Sequence, residues 1–420
     1  MVNQVQRASP FRLSIVTIIN CTGDQGVDRN GIAKAVVRQH AGKKIGFTLL
    51  AMLGMSLMDS CLDPYSIPRA LSNVHYLVIE GFLDTNGPTV IRLSSTTSLG
   101  SVDGRVPEQH ATVKIENDSG GTYVLSETDS GSYSAPALII DPVRNYRLKI
   151  RTASNKEYAS DFVPFKQTPR IDTVNWFVDG NNLHVNVNAH DDNNATHYYL
   201  WKYEETWAYN SRYPSGLKFE NKQIVRRGPG EDVYHCWKTL PSTQILTSSS
   251  TKLARDIISN YTLLTMPLTS EKLQSEYSLL VHQIALTKEA FEYWQQLKKN
   301  TENIGTIFGP QPSEGTSNIH CITNPDEPVI GYFSASSIQQ QRVFVFNNDL
   351  PRTAHTTGYE GCELDTLFLK QIPDFQSTSL LVGEISKGNP PVLVGYYISS
   401  YYCVDCRLRG GTTVKPDFWK

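Results

Sequence analysis

The stretch Leu183-His184-Val185-Asn186-Val187-Asn188-Ala189 decides the fold. Its residues alternate strictly, so Leu183, Val185, Val187 and Ala189 share one face and His184, Asn186 and Asn188 the other. A strand with one apolar and one wet face is the mark of an antiparallel sheet. Residues 171–178 and 196–207 flank it as further strands. Upstream, residues 76–83 and 89–94 are β-branched and aromatic runs separated by the turn formers Asp84-Thr85-Asn86-Gly87-Pro88. Residues 111–116 and 122–126 bracket Asn117-Asp118-Ser119-Gly120-Gly121 as a hairpin, and residues 146–152 and 157–163 form another pair. Residues 277–286, 329–334, 342–346 and 392–399 continue the series. Short strands at this spacing predict a mainly β chain of two Ig-like or transthyretin-like β-sandwich domains in tandem.

One helix interrupts the second domain, over residues 288–299. Thr287 is a suitable N-cap, Glu289 lies in the first turn, and Lys298 and Lys299 lie in the last. Ala290, Tyr293, Trp294 and Leu297 fall at i, i+3, i+4 and i+7 and define its buried stripe. The two prolines of residues 164–170 make a joint, which divides the body into an N-terminal β-sandwich at 76–165 and a C-terminal β-rich domain at 166–420.

The first 75 residues read differently. Lys43-Lys44 precede fourteen mostly apolar residues, 45–58, and Asp59-Ser60-Cys61 follow. A positive start, a short apolar block and a small residue before a cleavage point are the pattern of a secretory signal. A cysteine after that small residue points to a lipoprotein signal, with Cys61 acylated as the first residue of the mature chain. Leu57 stands four residues before Cys61 instead of three, and a buried core helix would also suit the length of the block. Residues 1–60 are thus expected to be leader and signal, with 1–42 explained by a start assigned too far upstream, and residues 61–75 a tether.

Composition agrees with export and excludes one class of partner. The 420 residues carry 39 Lys+Arg and 41 Asp+Glu. Seven of the basic and three of the acidic groups lie in residues 1–60, so residues 61–420 hold 32 and 38, a net charge of −6. Such a chain lacks the basic footprint of a nucleic-acid binder.

Motifs with chemistry are sparse. Residues 420 in all contain no phosphate loop, HExxH or GxSxG. His184, His190 and His197 surround Asp191-Asp192-Asn193-Asn194, but the spacing fails the calcium-loop template, and an Asp/Asn turn accounts for it. No metal and no cofactor are expected. Trp201, Tyr203, Glu204, Glu205 and Trp207 form a candidate ligand-facing aromatic and acidic cluster, against the commoner outcome of a buried aromatic face. Glu204 and Glu205 are adjacent in a strand and point to opposite faces, so they make no catalytic dyad. No enzyme activity is expected, an exported hydrolase being the least favoured reading.

Removing Cys21 with the leader and acylating Cys61 leaves Cys236, Cys321, Cys362, Cys403 and Cys406. Cys403 and Cys406 have CxxC spacing, but no second CxxC completes a zinc site and no helix follows for a thioredoxin-like one. Disulfides among Cys236, Cys362, Cys403 and Cys406 are expected, with connectivity open.

Several segments carry a resemblance: Cys61-Leu62-Asp63-Pro64-Tyr65, Leu77-Val78-Ile79-Glu80-Gly81, residues 198–207, the Tyr293-Trp294 pair, Gln311-Pro312-Ser313, residues 329–333, and the tail at 403–412 and 415–419. Together they resemble a family of Bacteroidota outer-membrane lipoproteins, the domain of unknown function four-two-four-nine. The resemblance implies an exported protein encoded beside a TonB-dependent receptor and carries over no catalytic residue. The expected function is that of a lipid-anchored outer-membrane accessory or binding protein, on the periplasmic or surface face, cooperating with such a receptor in ligand capture or import. A structural or adhesive, fimbria-like surface protein is the alternative.

Overall fold

A computed structural model describes residues 76–97, 105–302, 317–353, 355–376 and 378–419. Cys61, the leader, the tether and Gln311-Pro312-Ser313 lie outside these residues. The chain is mainly β, and among the described residues one long helix stands where the apolar periodicity places it. No helix among the described residues is long and apolar enough to cross a membrane.

The N-terminal strands close on themselves. In order around the ring come Asn145–Arg151, Thr112–Asn117, Thr122–Asp129, Ser132–Ala135, Thr89–Ser95, Leu77–Asp84, Ala335–Ser336 and Val163–Lys166. The last pairs back to the first through Asn145 with Pro164 and Tyr146 with Val163, giving an eight-stranded barrel-like sheet. Alternation along each strand sends Leu77, Ile79, Ile91, Leu93, Val113, Ile115, Leu148 and Ile150 inward to one core.

The ring borrows strands from far along the chain. Ile319–Cys321 pairs with Glu157–Ser160, Ile330–Gly331 runs parallel to Leu77–Asp84, and Ala335–Ser336 is a stave of the ring itself. Residues 317–336 were expected in the C-terminal domain; these pairings join them to the N-terminal sheet. They are too short for alternation to show which sheet they join.

The second core lies between two sheets. One holds Ile171–Asp179, Asn182–His190 and Ile257–Pro267; the other holds His235–Pro241, Tyr198–Asn210, Glu276–Ala285 and Ile338–Phe346, with Leu246–Ser249 on the side. Leu183, Val185, Val187 and Ala189 are fully buried, as alternation requires, against Tyr199, Trp201, Tyr277, Leu279 and Val281. Asn186 is buried as well, because its strand is the middle one and Asn175 and Thr262 flank it.

The helix spans Lys288–Glu302 and is capped as expected, Ala290 N–H donating to Thr287 Oγ1 at 3.2 Å. Its stripe packs on the outer side of the second sheet, with Ala290 and Trp294 against Leu200, Ile284 and Phe82. Phe291 joins that contact beside Tyr198, their ring centroids 5.0 Å apart, although the heptad-like stripe omits it.

Residues 211–235 contain a hairpin, Leu217–Glu220 with Gln223–Arg226. It packs on a third sheet, Asp365–Phe368, Val392–Ser399 and Leu380–Lys387, through Leu217, Leu367, Leu381 and Tyr396.

Candidate functional site

The aromatic and acidic cluster is not ligand-facing. Trp201, Tyr203 and Trp207 are buried in the second core. Trp201 stacks on Tyr199 and Tyr261 and donates its Nε1–H to Gln283 Oε1 at 3.0 Å. Burial pushes the Tyr203 hydroxyl up to about 12. Glu205 is also buried and fully employed: Tyr277 Oη donates to it at 2.8 Å and Lys272 Nζ lies 2.8 Å away. Glu204 points the other way, toward the wet face, where His282 Nε2 is 3.8 Å distant. The opposite directions of the two carboxylates follow from strand geometry; the burial of the rings corrects the ligand-facing reading, since three large aromatics gain more by filling a core than by facing water.

The His and Asp group around residue 191 forms turn and surface pairs. Asp191 accepts from the N–H groups of Asn193, Ala195 and Thr196. Partial burial pushes its carboxyl up, but these donors prevail and hold it low. His190 Nδ1 lies 2.8 Å from Asp172, while His184 is engaged with Thr265. Among the described residues no three His, Cys, Asp or Glu side chains converge as metal ligands.

The cysteines resolve into two disulfides, Cys236–Cys406 and Cys362–Cys403. Cys321 is buried and free. The four expected cysteines are thus the bonded ones, and adjacent members of the CxxC go to different partners. That arrangement pins the tail at two points. Tyr209 Oη donates to Cys406 O at 2.8 Å, Lys238 Nζ to Arg409 O at 2.8 Å, and Thr412 bridges to Trp237. The chain after Cys406 makes a short 3-10 turn closed by Gly410, whose φ of +80° favours glycine.

Beside this pinned tail lies a cleft of about 260 Å³. The hairpin supplies Lys218 and Phe219, the chain leaving it supplies Arg227, the third sheet supplies Leu380 and Leu381, and the tail supplies Tyr401, Asp405 and Arg407. Lys218 Nζ is 2.6 Å from Glu231 and 3.1 Å from Glu220, which hold its ammonium above the usual value. Arg407 reaches Asp405 with Nε at 2.9 Å and Nη2 at 2.7 Å, a bidentate pair. Partial burial pushes the Asp405 carboxyl up, but Arg407 outweighs it and holds it low. Arg227 is the exception: desolvation lowers its pKa, and its Nε donates only to Ser215 Oγ, at 3.2 Å. The described lining sets Lys218, Arg227, Asp405 and Arg407 beside Phe219, Leu380 and Leu381.

Sequence reading missed Lys218, Arg227 and Arg407 as a group. The charge in residues 211–235 and the basic tail were both visible, but 180 positions separate Arg227 from Arg407, and the disulfides and the tail's hydrogen bonds bring them together in space.

A family model described as Domain of unknown function (DUF4249) matches residues 63–342. No curated protein matches the chain. Among solved structures, the chicken interferon gamma receptor alpha chain is 11% identical over 50% of this chain and 89% of its own, with a TM-score of 0.16. A putative carbohydrate binding protein from Bacteroides uniformis is 13% identical over 50% and 90%, with a TM-score of 0.15. The Escherichia coli alpha-2-macroglobulin is 10% identical over 74% and 22%, with a TM-score of 0.18. Likenesses this slight define no common fold.

Proposed function

We propose, for a chain that belongs to the DUF4249 family, that it is an exported outer-membrane accessory protein that binds a small ligand in the cleft beside its tail. It is held to the membrane by a lipid on Cys61 and works with a TonB-dependent receptor in capturing or importing that ligand. In the same reading the two β-rich halves are Ig-like or transthyretin-like sandwiches in tandem, one of them closed further than the other. The observation that carries the reading is the cleft framed by two disulfides. Bonded cysteines persist in oxidising compartments, so they fit a protein outside the cytoplasm. A tail pinned at two points keeps the cleft walls fixed without a ligand, which lowers the ordering cost of binding.

Crosslinked outer membranes test the partnership. Pull-down of the tagged protein is expected to recover a TonB-dependent receptor, and deletion of the gene is expected to reduce uptake of that receptor's ligand. Recovery of no receptor, or unchanged uptake, would count against the reading. Incorporation of labelled fatty acid tests the anchor: it is expected in the wild type and absent in Cys61→Ala.

A further inference from the structure

We propose that the cleft takes a small organic carboxylate with an apolar body, the carboxylate gripped by Arg227. The charges around the cleft show why that residue stands out. Lys218 is neutralised by Glu231 and Glu220, and Arg407 by Asp405. Elsewhere Arg409 pairs with Glu271 and Arg147 with Glu116. Arg227 has no carboxylate within ion-pair distance among the described residues, and its one side-chain bond goes to Ser215 through Nε. Neither Nη group has a hydrogen-bond partner among the described residues, and Arg227 lines the cleft.

Desolvation at Arg227 outweighs the pull of Glu231, Asp405 and Asp232, none of which is in ion-pair contact with it, and an anion in direct contact offsets that cost. The planar fork of arginine matches a carboxylate in bidentate geometry, which favours that group over a bare point charge. Phe219, Val233, Leu380 and Leu381 offer an apolar wall for the body of the ligand, beside Ser379 and Tyr401. The volume, about 260 Å³, falls below the roughly 300–1,000 Å³ of pockets that hold drug-sized molecules. The occupant is therefore a small molecule, or one end of a longer one.

This inference rests on the cleft being the binding site, but not on the receptor or the lipid. Its test is made on the purified protein, so failure here leaves the uptake and pull-down experiments to decide the wider reading. Equilibrium dialysis of radiolabelled benzoate against the full chain is the measurement. Saturable binding at one site per chain is expected, weakened about 10-fold or more in Arg227→Gln, as loss of a charge-assisted pair requires. Arg227→Lys keeps the charge without the fork, and a smaller loss is expected; it also serves if Arg227→Gln lowers the unfolding midpoint. Benzamide, of the same shape without the charge, is expected to compete weakly. No saturable binding up to about 20 mM, a level weaker than any useful affinity, would overturn the proposal. So would equal binding by Arg227→Gln and Arg227→Lys to that of the wild type, benzamide competing as well as benzoate, or inorganic phosphate competing better than benzoate.

Discussion

Cys236 and Cys406 lie 170 residues apart in the chain and 5.9 Å apart at their Cα atoms, joined by a disulfide. The bond ties the tail to a strand that pairs along Tyr198–Asn210, Tyr209 facing Cys236 across the ladder. The Cys362–Cys403 bond closes a second loop inside the first. Constraining the unfolded chain over such spans contributes about 2–5 kcal/mol per bond. Replacing Cys236 and Cys406 together with serine is expected to lower stability by that amount in guanidinium unfolding. An unchanged midpoint would show that the tail is held by its packing alone.

Cys321 is the one described cysteine outside a disulfide, and it is buried in the N-terminal core. Its thiol is expected to resist alkylation in the folded protein and to react within minutes in denaturant, burial rather than bonding being its protection. Peptide mapping after labelling reads this directly. Rapid native labelling would place Cys321 at the surface.

Trp201 fills the centre of the second core and donates to Gln283, whose own Nε2 donates to Pro169 O at 2.9 Å. Trp201→Ala is expected to cost about 3–5 kcal/mol through the cavity it leaves. Trp201→Phe keeps most of the volume but strands the Gln283 oxygen, at about 1–3 kcal/mol. Unfolding midpoints of the two variants, with the Phe variant intermediate, check both terms. Equal losses would mean that shape, not the hydrogen bond, sets the cost.

His282 sits on the outer face of the second sheet, its ring largely covered and its Nε2 without a hydrogen-bond partner. Burial holds its pKa below the usual value, and Lys202 and Arg342 add to that, while Glu204 and Asp84 oppose it. Gln340 lies against Nδ1 at 3.1 Å. For a base whose folded pKa is depressed, the unfolded state takes up the proton first. The contribution is fully present above about pH 6.5 and is lost as pH falls from there toward the folded pKa. His282→Gln is expected to flatten that part of a plot of Tm against pH. A slope as steep in the variant would assign it to other groups.

The legible parts of the fold were those governed by local periodicity. Alternation fixed the buried face at Leu183, Val185, Val187 and Ala189, and the helical stripe at Ala290, Tyr293 and Trp294. The same alternation placed Trp201 and Tyr203 on one face, but not which side of the sheet was dry. That depended on the three-stranded sheet packed against it. The strands at 319–321 and 335–336 escaped notice, and the one at 330–331, read within 329–334, was not tied to a sheet, because two or three residues cannot show a period and they owe their conformation to the ring they join.

The candidate site divides in the same way. Sequence determined that Glu204 and Glu205 face apart, because that follows from strand geometry over two residues, and it left five cysteines from which four were expected to bond. Tertiary structure alone decided that Cys236 meets Cys406 and Cys362 meets Cys403, and that Arg227 comes beside the tail with no carboxylate of its own. Pairing of distant groups depends on how closed loops of many residues settle against a shared core, and that free energy belongs to no local segment.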